Sequence, residues 1–71
     1  MKQHKYRYEI ETWDDPMGDI DSSVTCFEET EAWDEYNTLV ADGYYTRLLK
    51  IDEELEDTNW ADSMEVIAAN F

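Results

Sequence analysis

The 71 residues carry 19 Asp and Glu against five Lys and Arg, a formal net charge of −14, with 42% hydrophobic and 14% aromatic residues. That charge repels nucleic acid and anionic membranes and attracts basic surfaces, which excludes direct DNA binding. The aromatic content opposes a disordered chain, and the length allows one domain, residues 1–71, with a single small core and marginal stability in low salt.

The chain begins M-K-Q-H-K-Y-R-Y-E, with no signal-type apolar run, and no stretch approaches the roughly 18 apolar residues that span a bilayer. A single cysteine, Cys26, closes no intramolecular disulfide. A reducing cytoplasm is the expected compartment. Residues 1–5 are expected to be mobile. Since Lys2, Lys5 and Arg7 precede residue 8, the remaining body is more acidic than the total.

Tyr6, Tyr8, Ile10 and Thr12 alternate with Arg7, Glu9, Glu11 and Trp13, the period of a strand with one covered face. Asp14 to Asp19 holds the only proline and one of the two glycines, which suits a hairpin loop. Alternation resumes from Ile20 to Phe27, with Ile20, Val24 and Cys26 inward, and predicts a second, antiparallel strand.

Phe27 to Ile51 is the organising unit, a helix folding back onto the sheet. Thr30 is the expected N-cap, with Glu28, Glu29 and Glu31 against the positive helix end. Ala32, Trp33, Tyr36, Leu39 and Val40 form one helical face, and Gly43 sits where a left-handed residue would end it. Tyr44 to Ile51 then predicts a third strand, apolar on both faces and therefore central. Asp52 to Asp57 is a charge block too repulsive to favour order by itself. Beyond it Trp60, Met64, Ile67 and Phe71 recur at helical spacing, with Asp57, Thr58 or Asn59 as caps. The expected fold is α+β: a small antiparallel three-stranded sheet with one helix on it (ββαβ) and a short C-terminal helix.

Catalytic chemistry is thinly supplied. His4 is the only histidine, and Cys26 falls in the inward set of a strand, where an inert buried thiol is expected. Asp15, Asp19 and Asp21 around Gly18 miss the spacing of a calcium loop. No enzyme activity, metal or cofactor is expected.

The acids themselves are the sharper signal. Duplex DNA carries one charge per roughly 1.7 Å, so a charge of −14 equals that of about 24 Å of duplex. A compact domain of this length should be roughly 29 Å across. Solubility needs a net charge of only about 2 to 8. Candidate binding carboxylates are Glu28, Glu29, Glu31, Asp34 and Glu35 on the helix and its lead-in, and Asp52, Glu53, Glu54, Glu56 and Asp57 after the third strand, followed by Asp62 and Glu65. Trp13, beside Asp14 and Asp15, has two readings: packing, or an exposed ring that anchors a partner.

In element order, Tyr6 to Trp13, Ile20 to Phe27, F-E-E-T-E-A-W and G-Y-Y-T-R-L-L-K-I resemble the layout of the T7-type phage inhibitor of bacterial RNA polymerase. That resemblance implies action in a host cytoplasm and a sheet face that engages the target, with Arg47 the one position carried over. The charge instead resembles DNA-mimicking anti-CRISPR and anti-restriction proteins. The expected function is inhibition of a basic nucleic-acid-handling protein by charge mimicry. The competing expectation is an assembly protein, dimerising through its C-terminal helix, whose acids only solvate.

Overall fold

The computed structural model describes residues 5–71. The expected mobile terminus and His4 therefore lie outside the described residues, Lys5 excepted. Six elements follow in the order β1 (Tyr6–Trp13), β2 (Ser22–Cys26), α1 (Glu29–Ala41), β3 (Tyr45–Asp52), α2 (Glu53–Ser63) and β4 (Met64–Ala69). The strands form one antiparallel sheet in the order β2-β1-β3-β4. The fold is α+β, with a helix against a sheet as expected; the sheet has four strands rather than three.

Strands β1 and β3 pair along their full length, from Tyr6 opposite Asp52 to Trp13 opposite Tyr45. Because opposed residues share a face, Tyr8, Ile10, Leu48 and, from β2, Val24 and Cys26 lie on one side. There they meet Ala32 and Tyr36 of α1, with Trp33, Leu39 and Val40 packed around them. Ile10 and Leu48 are fully excluded from solvent. The inward sets expected for β1 and α1 are the ones observed. Ile20 differs: the loop continues to Asp21, whose N–H donates to the Thr12 carbonyl at 2.7 Å, and Ile20 is left exposed.

Helix α1 starts two residues earlier than expected. Glu28 is the cap residue, its carbonyl accepting from the Ala32 N–H at 3.0 Å, without a side-chain cap, so Thr30 lies inside the first turn. The end is as expected. Gly43 has φ +96°, its N–H donates to Val40 O, and the Tyr44 N–H reaches back to Leu39 O. This paired closure satisfies the last carbonyls and turns the chain into β3.

The C-terminal third departs most from expectation. The acidic block is the start of α2, where Asp52 caps the helix: its Oδ1 accepts from the N–H groups of Glu54 and Leu55. Glu53, Glu54 and Glu56 occupy the first turn, where the helix dipole favours anions. Asn59, one of the expected caps, leaves helical geometry (φ −153°, ψ 77°) and kinks the element; the helix expected from Trp60 to Phe71 runs only to Ser63 and gives way to β4. Tertiary pairing explains this. Without β4, the apolar strand β3 would form the sheet edge, whereas Leu49 opposite Val66 and Ile51 opposite Met64 make it interior. A bulge opposite Leu48 and Leu49 then turns the successive residues Ile67 and Ala68 toward the core.

Asn70 extends the β3–β4 ladder by one rung with its side chain. Its Oδ1 accepts from the Thr46 N–H at 2.7 Å and its Nδ2 donates to the Tyr44 carbonyl at 3.0 Å, while its own N–H donates to Thr46 O. Thr46 is fully buried, so Asn70→Ala strands a buried donor. Chemical denaturation should show a loss of about 1–3 kcal/mol. Gly43→Ala meets no atom within 4 Å, so its cost is conformational alone. The same measurement should give about 1–2 kcal/mol, and Gly43→Asn should recover part of it.

Candidate functional site

The two faces of the sheet handle charge differently. The face opposite α1 carries Arg7, Glu9, Glu11 and Trp13 from β1 beside Tyr45, Arg47, Leu49 and Ile51 from β3. Trp13, Leu49 and Ile51 on it are buried, and its two arginines pair with carboxylates. Arg7 donates Nη1 to Glu56 Oε1 at 2.8 Å and Nη2 to Oε2 at 2.7 Å, a fork that ties β1 to α2, and its Nε donates to Glu9 at 3.2 Å. Glu9 accepts from the Thr25 hydroxyl, and Glu53 approaches Arg7 at 4.0 Å. These contacts hold the Arg7 guanidinium well above its ordinary pKa, the Glu56 bond being the largest cause.

Arg47 donates Nε to Glu11 at 2.9 Å and stacks over Trp13, 5.1 Å from the ring centroid. Trp13 also meets Phe71 edge-on at 5.1 Å and is 8% exposed. The ring is packed, so in this corner Tyr45 and Phe71, not Trp13, present aromatic surface to solvent. On the α1 side of the sheet, Lys50 Nζ lies 4.2 Å and Lys5 Nζ 5.2 Å from the centroid of Tyr6. The Lys5 carbonyl also accepts from the Glu53 N–H at 2.9 Å. All four cationic residues among those described are thus engaged within the chain.

The two predicted carboxylate sets now separate. Glu28, Glu29, Glu31 and Asp34 are exposed and Glu35 is half-buried along α1. Glu29 accepts from the Tyr8 hydroxyl at 3.3 Å; burial first, then Glu29, raises the tyrosine's pKa. Glu31, Asp34 and Glu35 lie within one turn of each other and form no ion pair with any described cation. In the second set, Asp52 is a helix cap, and Glu56 and Glu53 face Arg7. Those three hold the fold together. Glu54 and Asp57 are exposed.

The acids of the Asp14–Asp21 loop lie at the opposite end of β1 from α2, and all are exposed. Carboxylates without an ion pair to a described cation thus lie along α1 and in the Asp14–Asp21 loop, while the face opposite α1 offsets Glu9 and Glu11 with Arg7 and Arg47. Cys26 is half-buried, and burial followed by Glu31, Glu35 and Glu9 pushes its thiol above the ordinary value, as suits an unreactive group. Among the described residues no cluster of His, Cys, Asp and Glu could hold a metal ion, and no helix is long and apolar enough to cross a membrane.

The roles of Arg7, Asp52 and Asn70 were not found in the sequence. Arg7 lies in the first strand as its alternation predicts, but its contact with Glu56 spans 49 positions, beyond the reach of local pattern. Asp52 had a readable signal, an acid directly before E-E-L-E, which the density of charge obscured.

A double-mutant cycle of Arg7→Met and Glu56→Gln, read by urea denaturation, should give a coupling of about 1 kcal/mol. Arg7→Lys should recover less than half, because an ammonium cannot reproduce the fork.

This geometry carries the functional reading alone, for no family model, curated protein or solved structure matches the chain.

Proposed function

We propose that this protein is an acidic inhibitor that binds a basic nucleic-acid-handling protein and occupies the site where that protein holds phosphates. The observation that carries the reading is the carboxylate row Glu31, Asp34 and Glu35 on α1. It has no ion pair with a described cation, in a structure whose described cations are all engaged elsewhere. Like charges at three- and four-residue spacing destabilise a helix. Keeping them together costs stability, and a binding role accounts for the cost better than solubility, which needs less charge.

The shape supports the reading in a modified form. The molecule measures 38 × 24 × 16 Å, a slab longer than the expected sphere. Spread along 38 Å, the net charge gives about two-thirds of the linear density of duplex DNA. Lysines and arginines that hold phosphates would meet carboxylates at comparable spacing. Tyr45, exposed beside Phe71, supplies apolar contact in place of the packed Trp13.

The test uses the immobilised protein with a bacterial lysate, elution by a salt gradient, and titration of the eluted basic protein. Its affinity should fall steeply as salt rises from about 20 to 500 mM. Over the same range the melting temperature of the acidic protein alone should rise, because salt screens its self-repulsion. The triple variant Glu31→Gln, Asp34→Asn, Glu35→Gln should bind about tenfold more weakly yet melt no lower than the parent. Affinity indifferent to ionic strength would sink charge mimicry.

A further inference from the structure

Strand β4 ends the sheet, with β3 on one side and no strand on the other. It also departs from the rest of the molecule in composition. From Met64 to Phe71 the chain has one charged residue, Glu65. Edge strands are commonly protected by lysine, proline or inward charge; β4 has neither lysine nor proline, Glu65 is its one charge, and its bulge faces β3. Its side chains divide by face. Met64 and Val66, 40% and 52% exposed, lie on the face opposite α1. Glu65 lies on the other face, opposite Lys50.

On Glu65's side a cavity of about 210 Å³ opens between the sheet and α2, lined by Tyr6 and Leu55 together with Asp52, Asp62, Glu65 and Lys50. Three carboxylates there oppose one ammonium, and Lys50 already shows how a cation sits over Tyr6.

We infer that the free edge of β4 accepts an extended segment of the basic partner as a fifth strand, with apolar and lysine or arginine residues alternating along it. This rests on the proposed function and adds the mode of engagement. Backbone pairing to β4 would set the register. Alternate side chains would then fall on opposite faces, apolar ones beside Met64 and Val66, and basic ones beside Glu65 and over the cavity. Charge complementarity selects this occupant over a second copy: pairing two edges would bring together two chains of net charge −14.

The probe is a short capped peptide alternating lysine and valine, titrated in about 20 mM salt with amide shifts and hydrogen exchange read by NMR. Two control peptides keep the lysines: one replaces the central valine by proline, the other all valines by serine. The inference expects slowed exchange along β4, about tenfold weaker binding of both controls, and a similar loss in the Val66→Lys variant. Equal binding of all three peptides, with shifts spread over α1, would overturn edge pairing while leaving the charge-based reading intact. No binding by any of them would overturn both. Protection of β4 before peptide is added, with a dimer in sedimentation, would assign the edge to a second copy and equally defeat the inference.

Discussion

The ladder between β1 and β3 is the contact on which the other elements depend. It joins two segments more than thirty residues apart in an unbroken eight-rung register, from Tyr6 with Asp52 to Trp13 with Tyr45. That register places Ile10 beside Leu48 to receive α1, and on the reverse side sets Glu11 beside Arg47. It also brings Arg7 alongside Ile51, close enough to the β3–α2 junction for its fork to reach Glu56. A slip of β1 by one residue would exchange its two faces, putting Arg7 against α1 and Ile10 into water. Core and electrostatic pairing are thus fixed by the same pairing of strands.

Scarcity of positive charge explains how the arginines are used. Arginine, with a planar fork, can satisfy two carboxylate oxygens at once. Both described arginines lie on the face opposite α1, where they screen their neighbours Glu9 and Glu11 and, in Arg7's case, fasten α2. The lysines stay near Tyr6. Helix α1 receives no ion pair from any described cation, so its exposed carboxylates stand without the arginine partners that the opposite sheet face has. This asymmetry follows from side-chain placement, whereas the net charge alone is equally consistent with anions scattered over every side.

The local signals that held were those in which one residue type meets one backbone requirement. Gly43 was readable because a left-handed turn after a helix favours glycine, and β1 because four inward side chains alternate with polar ones. The tail misled because its apolar residues satisfy two periods. Trp60, Met64, Ile67 and Phe71 make a helical stripe, yet Met64 and Val66 also make one face of a strand. Trp60, the first residue of the stripe, is 65% exposed, and the bulge at Ile67 and Ala68 breaks strand alternation where it would have been most visible. The acidic block misled for a different reason: like-charge repulsion counted against order, while the Asp52 cap, the helix dipole and the distant Arg7 counted for it.

Taken alone, the sequence determined the charge, the α+β class, the helix that ends at Gly43 and the inward faces of β1 and α1, since each depends on residues within a few positions of one another. The tertiary structure decided that residues 64–69 form a strand, that Trp13 is packed rather than presented, and which carboxylates are committed to the fold. Those outcomes depend on partners from other elements: β3 for the strand, Phe71 and Arg47 for the tryptophan, Arg7 for Glu56. A period or a charge count records what a segment offers, and only the assembled sheet determines which offers are taken up.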